Sequence, residues 1–116
     1  MPITPEIKDY LYKKLAHLEK FLNPADQSVL CDIELGKISR HHKSGDVFRT
    51  EINLHLAGKN LRAVSEMAEL FASIDVAKDE MVRELESYKD KKVSLLKRGG
   101  AKIKNLLKNF MISDKE

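Results

Sequence analysis

The sequence has no tryptophan, one cysteine, three prolines and five glycines in 116 residues. A single cysteine, Cys31, excludes an intrachain disulfide and therefore a disulfide-stapled scaffold, and it fits a reducing compartment. Cys31 lies on the apolar side of its segment and reads as a small core residue rather than a reactive thiol. No apolar run approaches the roughly 18 residues of a membrane span. The opening stretch MPITPEIKDY has neither the basic region nor the apolar core of a secretory signal. The expectation is a cytoplasmic protein with no membrane partner. A Gly-rich phosphate loop, a nucleophile elbow and a metal-spaced Cys/His set are all missing, so the chain reads as a non-enzyme with no cofactor, no metal and no small-molecule substrate. His41-His42 invites a metal reading, but adjacent side chains usually point apart, and neither a Cys nor a third His is near in sequence.

What is abundant is charge, at 34% of residues, beside a 42% apolar fraction that suffices for one modest core. The charge is unevenly spread. From Lys89 to Ile112 there are eight Lys/Arg against one acid, Asp90; the whole chain is only +3, so the remainder is −4. Such asymmetry favours a polyanionic partner.

Thr4-Pro5-Glu6 carries helix-start signals: a capping hydroxyl, a proline suited to the first helical position and an acid at the positive end of the dipole. Ile7, Leu11, Leu15, Leu18 and Leu22 then form an apolar stripe, and Asn23-Pro24 ends the helix. Residues 29–35 switch to period two, with Val29, Cys31, Ile33 and Leu35 on one face and Leu30, Asp32 and Glu34 on the other. SRHHKSGD (39–46) is a polar loop. VFRTEINLHL (47–56) alternates again, AGKN (57–60) reads as a hairpin turn, and LRAVSEM (61–67) as a third strand. Leu70, Ile74, Ala77, Met81, Leu85 and Tyr88 mark a long second helix that could reach Leu96 or Lys97, with Gly99-Gly100 breaking it. Glu66, Glu69 and Asp75 bracket its start, where carboxylates complement the dipole. Residues 99–116 read as a basic tail, either disordered or a short amphipathic helix over 101–112 carrying Ile103, Leu106, Leu107 and Phe110 on one face.

The predicted fold is α+β: a small antiparallel-rich sheet with two helices packed on one face, in the order α-β-β-β-α, plus the basic C-terminal tail. Residues 1–98 form the domain. Lys89, Lys91, Lys92, Lys97 and Arg98 crowd the end of the second helix. Lysines there are favourable for dipole reasons alone. Five in ten residues, followed by Lys102, Lys104 and Lys108, exceed what that needs and point to a nucleic-acid footprint.

Four segments in order, ITPEIKDYLYKKLAHLEKF, IELGK, HHKSGDVFRTEINLHLAGKNLRA and ELFASIDVAKDEMVRELESYKDKK, resemble the bacterial ribosome hibernation-promoting factor family, which includes ribosome-associated inhibitors. The resemblance covers about residues 3–98. It implies a β-α-β-β-β-α domain that binds the small ribosomal subunit and its rRNA in the mRNA/tRNA channel. It further implies that translation is blocked there by occlusion, without chemistry, during stress or stationary phase. On this sequence the implied RNA contacts are Lys8, Lys14, His17 and Lys20 on the first helix and Arg83, Lys89, Lys91 and Lys92 on the second, with Lys97 and Arg98 at the end of the cluster. Lys59, Arg62 and the loop residues His41, His42 and Lys43 are secondary candidates.

Two departures carry expectations. The family begins with a strand before the TP helix start, and this chain begins at Met1-Pro2-Ile3, so one sheet edge is expected to be exposed. The long members carry a C-terminal domain that pairs ribosomes, for which the chain has no room. The order α-β-β-β-α is also that of a double-stranded RNA-binding module. That alternative usually places its lysines at the start of the second helix, and here they sit at the far end.

Overall fold

Thr4 starts the first helix in an extended conformation (φ −94°, ψ 160°), and its Oγ1 accepts a hydrogen bond from the Ile7 amide at 3.1 Å. Pro5 follows where its missing N–H costs nothing. The structure, a computed structural model, describes residues 2–22, 28–38, 45–56, 58–90 and 107–115. Helix α1 spans Pro5–Leu15. The expected single helix to Leu22 is instead two pieces, because Ala16–Phe21 tightens into a 3₁₀ segment. The apolar spacing explains the change: Leu11 to Leu15 is a step of four, whereas Leu15, Leu18 and Phe21 are three apart, the repeat of a 3₁₀ turn.

Strands β1 (Leu30–Ile38), β2 (Val47–Leu56) and β3 (Lys59–Met67) follow, as the period-two stretches indicated. β1 and β2 are antiparallel with Ile33 opposite Ile52, and β2 and β3 are antiparallel with Ile52 opposite Ala63. Leu56 pairs with Lys59, leaving a two-residue connection in which Gly58 takes φ +77°, a conformation that favours glycine. Helix α2 spans Leu70–Asp90; its suggested continuation to Leu96 or Lys97 lies outside the described residues.

The segment read as a cationic tail contributes a strand. β4 (Leu107–Lys115) runs parallel to β1, pairing Ile33 with Phe110 and Leu35 with Ile112, so the sheet order is β3-β2-β1-β4. This corrects two expectations. The amphipathic helix read over 101–112 is a strand from Leu107 onward, with 101–106 outside the described residues, and the β1 edge is not exposed. Phe110 and Ile112 also satisfy a period of two, and the backbone groups along β1 provide a ladder that an isolated helix of that length lacks.

Cys31, Ile33 and Leu35, Ile52, Leu54 and Leu56, and Leu61 and Ala63 point to one face and bury against Leu11, Leu15, Leu18 and Leu22 of the N-terminal segment and Ile74, Ala77, Met81 and Leu85 of α2. Both helices thus cover one side of the sheet. Each fully buried Leu or Ile contributes roughly 1.5–3 kcal/mol by leaving water. Truncating one with no exposed surface, such as Leu15, to Ala removes about 2–5 kcal/mol.

The core is not wholly apolar. Thr50, Ser65 and Ser73 are buried where α2 crosses β2 and β3. Ser65 Oγ donates to the Ser73 carbonyl, and Ser73 Oγ donates to the Leu70 carbonyl at 2.7 Å. The opposite face of the sheet is a charge network. Arg49 reaches Glu51 at 2.9 Å, Glu34 at 3.4 Å and Glu66 at 3.7 Å, one partner on each of three strands. Glu66 therefore serves the sheet rather than the α2 dipole, and Asp75, in the second turn of α2, serves α1 as described below.

Candidate nucleic-acid interface

The change from α-helix to 3₁₀ segment places the first two functional side chains. In a 3₁₀ turn, residues three apart eclipse, so Leu18 faces the core while His17 and Lys20 stand together on the outer side. Lys20 Nζ lies 5.3 Å from the centroid of the Phe21 ring, a cation–π distance that holds the side chain along the segment. Opposite them, α2 presents two i, i+4 pairs, Lys78 with Val82 and Asp79 with Arg83. These six residues line an open cleft of about 340 Å³ between the 3₁₀ segment and α2.

Lysine, arginine and histidine supply four of the six lining side chains, against one carboxylate. Lys78 is the most enclosed of the cations for which a contact is seen, with 14% of its side chain exposed, and its Nζ is 2.6 Å from Asp79 Oδ1. Arg83 Nη2 is 3.0 Å from Glu80 Oε1 and remains largely exposed. The Lys78 ammonium holds the Asp79 carboxyl below its ordinary range, and the charges of Arg83 and Lys14 act in the same sense. Lys20, Lys78 and Arg83 outnumber Asp79 in the lining, a balance that favours anions.

One turn toward the start of α2, Asp75 binds the two helices together. Tyr10 Oη donates to both Asp75 oxygens, at 2.7 and 2.8 Å, and Lys14 Nζ lies 3.5 Å from Oδ1. The Tyr10 ring packs on Phe71 with centroids 4.5 Å apart. This clamp fixes how α1 and the 3₁₀ segment sit on α2, and so fixes the width of the cleft. The bond to Asp75, with burial and the nearby charge, raises the Tyr10 phenol above its ordinary pKa.

Of the expected contacts, the fold brings His17, Lys20 and Arg83 together, with Lys14 beside them in the clamp. Lys8 is exposed on α1. Lys89 falls in the last turn of α2. Arg62 is not part of this surface: it lies on the opposite face of the sheet, with Nε 3.1 Å from Glu51 Oε2. Lys59 is exposed at the start of β3. His41, His42, Lys43, Lys91, Lys92, Lys97 and Arg98 lie outside the described residues. Lys78 was missed by sequence reasoning. It is an isolated cation between Ala77 and Asp79, and only its helical spacing from Val82 could have singled it out. Among the described residues, no group of three or more His, Cys, Asp or Glu could hold a metal ion, and no helix is long and apolar enough to cross a membrane.

The sequence model of the family described as Sigma 54 modulation protein / S30EA ribosomal protein matches residues 1–93. A ribosome hibernation promoting factor of Klebsiella oxytoca is 29% identical over 89 residues, covering 77% of this chain and 84% of that protein. One from Pseudomonas putida is 27% identical over 101 residues, covering 86% and 89%. Among solved structures, the Protein Y N-terminal domain of Thermus thermophilus aligns with a TM-score of 0.56 at 28% identity, covering 76% of this chain and 88% of that one. A ribosomal subunit interface protein from Coxiella burnetii shares the fold, with a TM-score of 0.58 at 18% identity over 78% of this chain and 89% of that one. Strand β4 lies beyond the matched residues 1–93.

Proposed function

The chain belongs to the Sigma 54 modulation protein / S30EA ribosomal protein family, and on that premise we propose that it is a cytoplasmic ribosome hibernation factor. It binds the small ribosomal subunit in the mRNA/tRNA channel and blocks translation by occlusion during stress or stationary phase. The observation that carries this reading is the convergence of His17, Lys20, Lys78 and Arg83 on one cleft between two helical elements. The names of the curated relatives support it.

Ribosomal RNA offers a dense array of phosphates, and a cleft lined by cations binds such an array through charge and shape rather than base sequence. Lys8, Lys14, His17, Lys20, Arg83 and Lys89 extend the footprint along both helices, with Lys91, Lys92, Lys97 and Arg98 continuing it in sequence. On the opposite face of the sheet Glu51 pairs with both Arg49 and Arg62, and that face turns away from the RNA. A rigid domain seated in the channel excludes mRNA and tRNA by volume, so no covalent step is required.

The test is co-sedimentation with purified small subunits at low and moderate salt, with mRNA and tRNA as competitors. The protein should pellet with the subunit and be displaced by the competitors. Reversal of the exposed Lys20 and Arg83 to Glu should sharply weaken binding while the circular dichroism spectrum is unchanged. Six to ten phosphate contacts imply roughly a thousandfold or greater loss of affinity between about 50 and 200 mM salt. Equal binding to any duplex RNA, without preference for the subunit, would overturn the hibernation reading in favour of a general RNA module.

A further inference from the structure

Two of the cations that line the cleft are already paired with carboxylates. Lys78 holds Asp79 at 2.6 Å and Arg83 holds Glu80 at 3.0 Å. Both carboxylates come from the helix that supplies the cations, and both are about half exposed, so each is free to swing away. Resting on the proposed function, we propose that Asp79 and Glu80 act as internal competitors for phosphate, holding the cleft's cations until RNA displaces them and so limiting its affinity.

The need for such a partner is clearest at Lys78. Only 14% of its side chain is exposed, and it lines the cleft beside Val82. An enclosed ammonium without a counter-charge is costly, and Asp79 supplies that charge when the cleft is empty. Binding a phosphate then exchanges one anion for another. The exchange gives up the Lys78–Asp79 pair and leaves a carboxylate next to the incoming phosphate. Both effects weaken binding, and both favour release, because Asp79 can recapture Lys78 as the phosphate leaves. Arg83 and Glu80 repeat the arrangement in a more exposed setting, where the pair is worth less. Asp79 is therefore the stronger competitor of the two.

Asp79→Asn and Glu80→Gln, measured for binding to purified small subunits at fixed salt, test the proposal. Asp79→Asn should bind roughly two- to tenfold more tightly, mostly through slower dissociation, with a smaller gain for Glu80→Gln. The slope of log affinity against log salt should steepen by about one for each charge removed. Glu66→Gln removes the same charge on the opposite face of the sheet, beyond useful range at about 0.1 M salt, and should change affinity less than twofold. In a Lys78→Gln background the gain from Asp79→Asn should shrink. Asp79→Asn leaves the enclosed Lys78 without its counter-charge and should lower the melting temperature slightly, whereas tighter subunit binding is a gain that a loss of stability does not produce. No tightening by Asp79→Asn overturns the proposal, and equal tightening by Glu66→Gln overturns it by reducing the effect to net charge. If the wild-type chain does not bind the subunit at all, the proposed function fails and this falls with it; wild-type binding with unchanged variants overturns this alone.

Discussion

Thr50 on β2 and Ser73 on α2 are joined through their hydroxyls at 2.7 Å, inside the core. The direction of that bond follows from its neighbours. Ser73 spends its only hydroxyl proton on the Leu70 carbonyl, so Thr50 is the donor and Ser73 Oγ accepts. The two side chains are therefore not equivalent. Ser73→Ala should strand the Thr50 hydroxyl without an acceptor and cost about 1–3 kcal/mol. Thr50→Val leaves Ser73 with its own bond intact and should cost less. Chemical denaturation of the two variants checks the order.

Tyr10 ties α1 to α2 through Asp75, and its ring stacks on Phe71 independently of the hydroxyl. Tyr10→Phe keeps the ring contact and should lower stability by about 1 kcal/mol. Subunit binding should weaken in parallel, since the cleft loses the clamp that sets its width. The tie also predicts an alkaline limit. The folded phenol titrates above its ordinary value, so its contribution is complete below about pH 10 and disappears as pH rises through the raised pKa. Thermal melts above about pH 10 should show this loss in the wild type and not in Tyr10→Phe.

Glu51 titrates at about 2, held down first by the Asn53 amide and then by Arg62 and Arg49. A depressed carboxylate stabilises the fold at pH values above its unfolded pKa of 4.5 and stops doing so as pH falls toward 2. Stability should decline through that window, and Glu51→Gln should flatten the decline. At neutral pH the substitution should cost about 1 kcal/mol, discounted for partial exposure. Urea denaturation at pH 7 and pH 3 distinguishes the two proteins.

Truncation after residue 106 removes β4 and uncovers the β1 edge. The melting temperature should fall by roughly 10 °C, equivalent to about 2 kcal/mol for a domain of this size. The truncated chain should also self-associate in a concentration-dependent way, because an unpaired edge is a template for another strand. Differential scanning calorimetry and sedimentation velocity test the two effects separately.

Much of this arrangement is legible in the order of residues, and the exceptions have a common cause. The alternation from Val47 to Leu56 and the stripe Ile74, Ala77, Met81, Leu85 are local patterns, and they match β2 and the buried face of α2. What was not legible depends on partners distant in sequence. Phe110 belongs to two competing periodicities, one of helix and one of strand, and the β1 edge decides between them. Lys78 looks like a solvated cation until the 3₁₀ segment brings His17 and Lys20 against it. Arg62 looks available for RNA until the β2–β3 register carries it to the Glu51 side of the sheet.

The parallel pairing of β4 with β1 also sets a timetable. Leu107 sits beside Cys31, so the last sheet partner to be synthesised completes a strand made near the start. Chains fold from the N-terminus as they emerge, and α1, β1, β2, β3 and α2 can assemble while β4 is still to come. The nascent chain thus carries a finished helical surface and an unfinished sheet at the same moment. It does so tethered to a ribosome, the class of particle it is proposed to silence. Closing that edge is a non-local step and so a slow one, taken after the surface that would meet RNA has already formed.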